Sequence, residues 1–399
     1  MTISILHCLL RPFLIILLTI LSSTSFNSAV STGANYNVVS FGANPDGKTD
    51  CAKAFLSAWQ KACGSAQPAT IYVPPGRFLL GKVIFVGGEC SNKAITVTID
   101  GTLVAPSNYN GNDDSNWIVF ENVDGVSVHG GLLDGQGTSL WACKKSGGNC
   151  PSGATSLEFT NSKNIMVAGL TSLNSQMFHI VIYQCQHVKV QGVKVMAPAN
   201  SPNTDGIHIA GSDDVTILNS NIRTGDDCVS VGAGTTNLWV ENIACGPGHG
   251  ISIGSLGQDQ NEAGVQNVTV KTIKFTGTEN GVRIKTWGKP SNAFVKGILF
   301  QHAVMVDVQN PIVIDQNYCP DKGCSRQASG VKISDVTYQD IHGTSATEVA
   351  VKFDCSSKNP CSGIQLEDVK LTYNNQVAQA SCQNAGGTSQ GYVQPQSCL

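Results

Sequence analysis

TDGIHIA (204–210), DDCVSVG (226–232), GHGISIG (248–254) and ENGVRIK (279–285) are four versions of one phrase. The first three begin 22 residues apart, and the fourth follows after 31. Laid over one another, they put Asp205 on Asp227 and then on His249, and give Ile207/Ile209, Val229/Val231, Ile251/Ile253 and Val282/Ile284 a common phase. Apolar residues at every second position make a strand with one buried side. Their return after a fixed length of chain makes each strand the neighbour of the last. The longer fourth interval is an insertion that leaves the strand in phase.

The same rhythm spreads outward. NIMVAGLTSL, HVKVQGVKVM, DVTILNSNI, NLWVENIAC and NVTVKTIKF alternate apolar and polar residues, and their first apolar members are Ile165, Val188, Val215, Leu238 and Val268. Val331 and Ile364 continue the series. Several short strands per repeat of 20–35 residues fit a solenoid in which each turn covers the next. A two-sheet sandwich also has short strands, but does not need them to recur in equal phase. The expected fold is all-β, a single-stranded right-handed parallel β-helix (solenoid) with a short N-terminal capping helix. That helix is expected near Thr49–Ala62, where Phe55, Ala58, Trp59 and Ala62 share a side and cover the open first turn.

Residues 1–30 read as a signal peptide, with Arg11 ahead of the apolar run Phe13–Leu21 and cleavage between about Ser23 and Ser31. That run is shorter than the ~20 residues of a membrane span. Residues 31–399 are then one catalytic domain, secreted, with no membrane attachment in the mature form and expected to act as a monomer. Of 15 cysteines, Cys143/Cys150, Cys228/Cys245, Cys319/Cys324, Cys355/Cys361 and Cys382/Cys398 lie close enough for local disulfides in an oxidising compartment. Cys51, Cys63, Cys90 and Cys185 have no evident partner by spacing, and one or two free buried thiols are compatible with them. Charged residues are only 13% of the chain and the net charge is −3, with no Lys/Arg run, which argues against a nucleic-acid partner. Asn267-Val268-Thr269 is a glycosylation candidate unless the side chain lies inside the fold.

In a solenoid the four phrases bring Asp205, Asp226, Asp227 and His249 within about 10 Å, two turn heights. Strand alternation leaves His208, Ser230, Ser252 and Arg283 on an outward ladder, with Lys285 beside it over Gly254, Gly232 and Ala210. Single acids such as Asp213, Asp214 and Asp335 read as turn residues. Three carboxylates on adjacent turns repel one another, a cost that a structural role does not explain. A calcium site would call for more oxygen ligands and no Arg/Lys pair, so no metal and no cofactor is expected. Paired carboxylates suit glycoside hydrolysis, in which one protonates the leaving oxygen and another handles water or attacks the sugar. Two cations beside them suit a uronic acid polymer.

SPNTDGIHI (201–209), TGDDCVSVG (224–232), GPGHGISIG (246–254), RIK (283–285) and Tyr318 in DQNYC resemble the signatures of the polygalacturonases, the parallel β-helix hydrolases of glycoside hydrolase family 28. The likeness runs from about Tyr36 to Cys398. It implies that Asp226 is the general acid, and that Asp205 and Asp227 activate water in an inverting displacement. It further implies that His249 tunes the acid, and that Arg283, Lys285 and Tyr318 bind galacturonate. Asn203 and His208 belong to the same binding region, Asn203 standing behind the catalytic carboxylate. Cys228 and Cys245 then tie consecutive turns beside the site. KTWGKPSN and GTSATEVAVKFDC resemble the plant exo-acting branch. The expected activity is cleavage of α-1,4-galacturonosidic bonds of polygalacturonate (pectin) from the non-reducing end, in the cell wall. The 31-residue interval before Arg283 and the loop WACKKSGGNCPS (141–152) are candidates for a wall closing the groove. The alternatives are an endo-acting hydrolase, a pectate or rhamnogalacturonan lyase, and a non-catalytic polysaccharide-binding β-helix.

Overall fold

The computed structural model describes residues 33–107, 116–320, 324 and 327–399. The expected signal peptide lies outside them. Gly33–Leu399 forms one compact unit. The chain coils through an 11-stranded sheet and an 18-stranded sheet, nearly all pairings parallel, as a right-handed β-helix. Among the described residues no helix is long and apolar enough to cross a membrane.

The inward phase read from the four phrases runs on in both directions. Ile180, Ile207, Val229, Ile251, Val282, Ile312 and Val351 stack in register through the 11-stranded sheet and are all at most 1% exposed. Complete burial of such a side chain contributes about 1.5–3 kcal/mol relative to leaving it exposed. A one-residue slip would turn the whole column into water, so burial fixes the register.

On the 18-stranded sheet, Ile165, Val188, Val215, Leu238 and Val268 stack as expected. The series then continues through Ile298 and Val336 to Ile364. Val331 is therefore not the next rung. It is buried just ahead of the strand Lys332–Ser345, and its carbonyl accepts from the Gln316 side chain.

The corners are where the chain pays attention to φ. Asn164, His187, Asp214, Asn237, Asn267 and Asp335 all turn with φ near +50°, a left-handed conformation that Asn and Asp tolerate better than most residues. Asp214 and Asp335 are thus turn residues, and Asn267 is exposed at a corner, its Nδ2 donating to Oδ1 of Asn237.

The capping helix is Ala52–Cys63, with Phe55, Ala58, Trp59 and Ala62 buried. It starts later than Thr49. The Asp46 carboxylate captures the amides of Lys48 and Thr49, and Asp50 captures those of Ala52 and Gly81, so these residues make a turn and a short strand. Trp59 packs on Phe85 and Phe120, which begin an aromatic stack continued by Phe159. All five disulfides expected from spacing are present, and Cys63–Cys90 makes a sixth. Cys51 and Cys185 are free and buried.

Candidate active site

The three acids sit where the chain enters consecutive strands of the 11-stranded sheet, Ile207–Ala210 and Val229–Val231. Backbone hydrogen bonds fix them to one another. The Gly206 amide donates to the Asp227 carbonyl at 2.9 Å, and the His249 amide to the Asp226 carbonyl at 2.8 Å. Gly225 precedes Asp226 because a Cβ there would lie 2.1 Å from the Ser201 carbonyl oxygen. Gly250 follows His249 at φ +91°, where a Cβ would meet the Asn280 carbonyl oxygen at 2.1 Å. Thr204 ties the two acid-bearing turns together, its hydroxyl 2.6 Å from that of Ser201 and accepting from the Gly225 amide. Cys228–Cys245 joins the next pair.

Asp227 is almost fully enclosed. Its Oδ1 accepts from Ser252 Oγ at 2.7 Å and Arg283 Nη2 at 3.0 Å, and its Oδ2 accepts from Lys285 Nζ at 2.9 Å. Arg283 also donates through Nε to Ser252. Arg283 and Lys285 do point at the acids, and in the free groove they are held by one of them. Lys285 Nζ lies 5.3 Å from the ring centre of Tyr318, which meets Trp287 edge to face.

The other two acids differ in kind. Burial drives the Asp205 carboxyl well above the usual carboxylate range, and the neighbouring Asp226 and Asp227 add to it. Burial also pushes Asp226 upward, but the hydrogen bond and charge of His249, the Asp227 amide and Lys285 outweigh it, and the net shift is downward. His249 Nδ1 is 3.0 Å from Asp226 Oδ1, and that contact raises the imidazole above its ordinary value, with Glu279 and Asp227 adding to it. The surroundings thus favour the protonated form of Asp205 and the charged form of Asp226, which faces His249.

A cleft of about 280 Å³ opens over this cluster. Asp205, Asp226, Asp227, Lys285 and Tyr318 line it, with Gly232 and Gly254 leaving the floor low. His208 lines it too, its Nδ1 2.8 Å from Ser230 Oγ and its ring stacked on Phe178. Burial lowers His208 to about 4, so the ring is neutral in mildly acidic solution. Asn203 is exposed at the rim, facing the cleft rather than standing behind a carboxylate. His249 and Arg283 touch the cluster from outside the lining.

Ligand atoms of Asp226, Asp227 and His249 approach within 4.8 Å of one another, close enough for one ion. The donors do not fit a cation. Both oxygens of Asp227 already accept from Ser252, Arg283 and Lys285, and Asp226 Oδ1 is bound to His249.

Phe178, Trp287 and Glu279 were not legible as site residues. Phe178 had a signal: it lies 27 residues before Asp205, and Val188 to Val215 in the other sheet is the same interval. Ile180 pairs with Ile207 in that register.

A parallel β-helix with carboxylates clustered on one groove is the frame of the site, and the sequence assigns the chain to a family. A family model, Glycosyl hydrolases family 28, matches residues 63–398. The chain belongs to this family and is a glycoside hydrolase. It is 67% identical over 377 residues to a polygalacturonase of Prunus persica, covering 94% of this chain and 95% of that one. It is 42% identical over 372 residues to an exopolygalacturonase of Platanus acerifolia, covering 92% and 98%. Among solved structures, endo-xylogalacturonan hydrolase from Aspergillus tubingensis shares the fold at TM-score 0.76 and 23% identity, covering 90% of this chain and all of that one.

Proposed function

We propose that this hydrolase cleaves the α-1,4-galacturonosidic bonds of polygalacturonate by direct displacement with inversion, releasing galacturonate from the non-reducing end. The observation that carries the reading is the unequal environment of three adjacent carboxylates. One is charge-paired with an imidazole, one is pinned by two cations, and one is buried without a cation of its own.

Asp226 protonates the leaving oxygen, and Asp205 and Asp227 orient and deprotonate the attacking water. For this the resting protonation must change hands. A bound galacturonate brings its own carboxylate to Lys285 and Arg283, weakening their hold on Asp227, and excludes water from Asp226. Both effects raise the affinity of Asp226 for the proton that Asp205 or His249 holds in the free groove. Tyr318, His208 and Asn203 complete the sugar-binding surface.

Exo action is supported by the likeness to the Platanus acerifolia exopolygalacturonase and by the segment 138–153. That segment begins with the helix Thr138–Lys145 and is closed by Cys143–Cys150. It packs on the turn before Phe178, through the Gly137 amide to Asn174 and the Met177 amide to Ala154. In the exo-acting reading this segment is the wall that closes one end of the groove. The insertion at 257–264 packs instead on Ser291 and Asn292 of the next turn, at the far edge of the sheet. Six disulfides support secretion into an oxidising space, consistent with a pectin substrate in the cell wall.

The test is proton NMR of the first products from a long oligogalacturonide. New ends released as the β-anomer, with monomer as the only early product, are expected. The α-anomer excludes inversion, mixed oligomers exclude exo action, and ultraviolet-absorbing unsaturated ends that vanish with a chelator indicate a lyase.

A further inference from the structure

Glu279 is a carboxylate that the roles above leave unused. It opens ENGVRIK, immediately before the strand Asn280–Trp287, on the turn of the coil that follows His249. Its backbone is held on both sides. The amide donates to the Gly248 carbonyl at 2.9 Å, and the carbonyl accepts from the backbone and side-chain amides of Asn310 at 2.9 and 3.0 Å. The side chain of Asn280 donates to the His249 carbonyl at 3.1 Å, joining the same two turns again. From this position Glu279 Oε2 lies 3.3 Å from His249 Nε2, while His249 Nδ1 faces Asp226 Oδ1.

An imidazole with a carboxylate on each nitrogen has a donor for both only when it carries both protons. The charged groups facing His249 are Asp226 and Asp227 from the preceding turn and Glu279 from the following one, all anions. We propose that Glu279 is a positioning residue that holds His249 as the doubly protonated imidazolium, so that the His249–Asp226 pair keeps the proton destined for the leaving oxygen to higher pH than it would alone.

The inference rests on the reading of Asp226 as proton donor. In the step itself the leaving oxygen gains one proton from Asp226, and the Nδ1 proton of His249 passes to Asp226. The neutral imidazole keeps its Nε2–H, on the side that faces Glu279. The pair regains one proton from solvent, and Glu279 stays ionised throughout. Glu279 and His249 are both partly in water, which screens the attraction. The expected contribution is thus a fraction of a pH unit.

The experiment is Glu279→Gln, read in two ways on the full-length secreted enzyme. Carbon-13 histidine labelling gives the titration midpoint of His249, assigned by its loss in His249→Asn, and kcat/KM is followed against pH on an oligogalacturonide. The His249 midpoint should fall by roughly 0.3–0.7 pH unit. The alkaline limb of kcat/KM should fall with it, so that the loss at pH 7 exceeds the loss at pH 4, and both shifts should shrink in 1 M salt. An unmoved midpoint overturns the proposal, as does a moved midpoint with an unmoved alkaline limb. A rise in KM at every pH with no change in either overturns it in favour of a direct sugar contact. Failure of the underlying reading is separate: Asp226→Asn would then retain turnover, while the His249 midpoint would still fall in Glu279→Gln.

Discussion

The two outer faces of the coil are made of the same stacked rungs and treat charge in opposite ways. On the 18-stranded sheet, Glu241, Lys271, Gln301, Gln339, Glu367 and Gln390 follow one another in register, and no like charges are neighbours. Glu241 meets Lys271 at 3.5 Å, and Gln339 bonds to both Gln301 and Glu367. On the edge of the 11-stranded sheet, the corresponding column is Phe178, Asp205, Asp227, His249 and Asn280, with two carboxylates on successive rungs and Asp226 beside them. Side-by-side stacking at about 4.8 Å lowers free energy when neighbours are complementary and raises it when they are alike. The first face shows what the coil does when only stability is at stake. The second keeps an unfavourable arrangement, small residues around it and two cations aimed into it, and this contrast identifies the site more firmly than any one residue does.

The contrast breaks most visibly at Asp227. Asp227→Ala leaves Arg283 and Lys285 buried without a counter-charge, and should lower unfolding free energy by about 3–5 kcal/mol in denaturant titration. Next comes Arg283→Ala, which removes a charge-assisted bond to Asp227 and, in the proposed reading, the cation that draws in the substrate carboxylate. KM should rise roughly ten- to a hundredfold, and an unchanged KM would contradict a binding role for Arg283.

Asp205 gives a pH signature. Its folded carboxyl is raised, so above about pH 4 the unfolded chain releases a proton that the folded one keeps. Stability from this group is therefore lost as pH rises, by up to about 1.4 kcal/mol per pH unit until the folded group ionises. Relative to the wild type, Asp205→Asn should gain stability from pH 4 towards pH 7; parallel stability curves would show that Asp205 is not held protonated. The smallest effect belongs to the other face. Glu241→Ala should change stability by about 1 kcal/mol or less and leave turnover alone.

Much of this was legible in the sequence because a solenoid turns spacing into distance. The 22-residue offset alone put Asp205, Asp227 and His249 on one column, and alternation alone sent Arg283 and Lys285 toward them. Local disulfides were legible for the same reason. Cys63–Cys90 was not, since it links the end of the capping helix to a loop across 27 residues. The rung at Ile298 and Val336 was missed because a long connection separates them and a buried valine, Val331, stands in the expected place. What spacing does not encode is the partition of partners. Which acid takes both cations, which one keeps the proton, and that Glu279 reaches the far side of His249 all depend on side-chain burial and reach.

In the proposed reaction Asp226 delivers the proton to the leaving oxygen. The most direct test of this role is turnover of polygalacturonate by Asp226→Asn, followed as new reducing ends with folding checked by circular dichroism. kcat should fall by about 10²–10⁴-fold with substrate binding kept. A folded variant that keeps wild-type turnover would contradict the role.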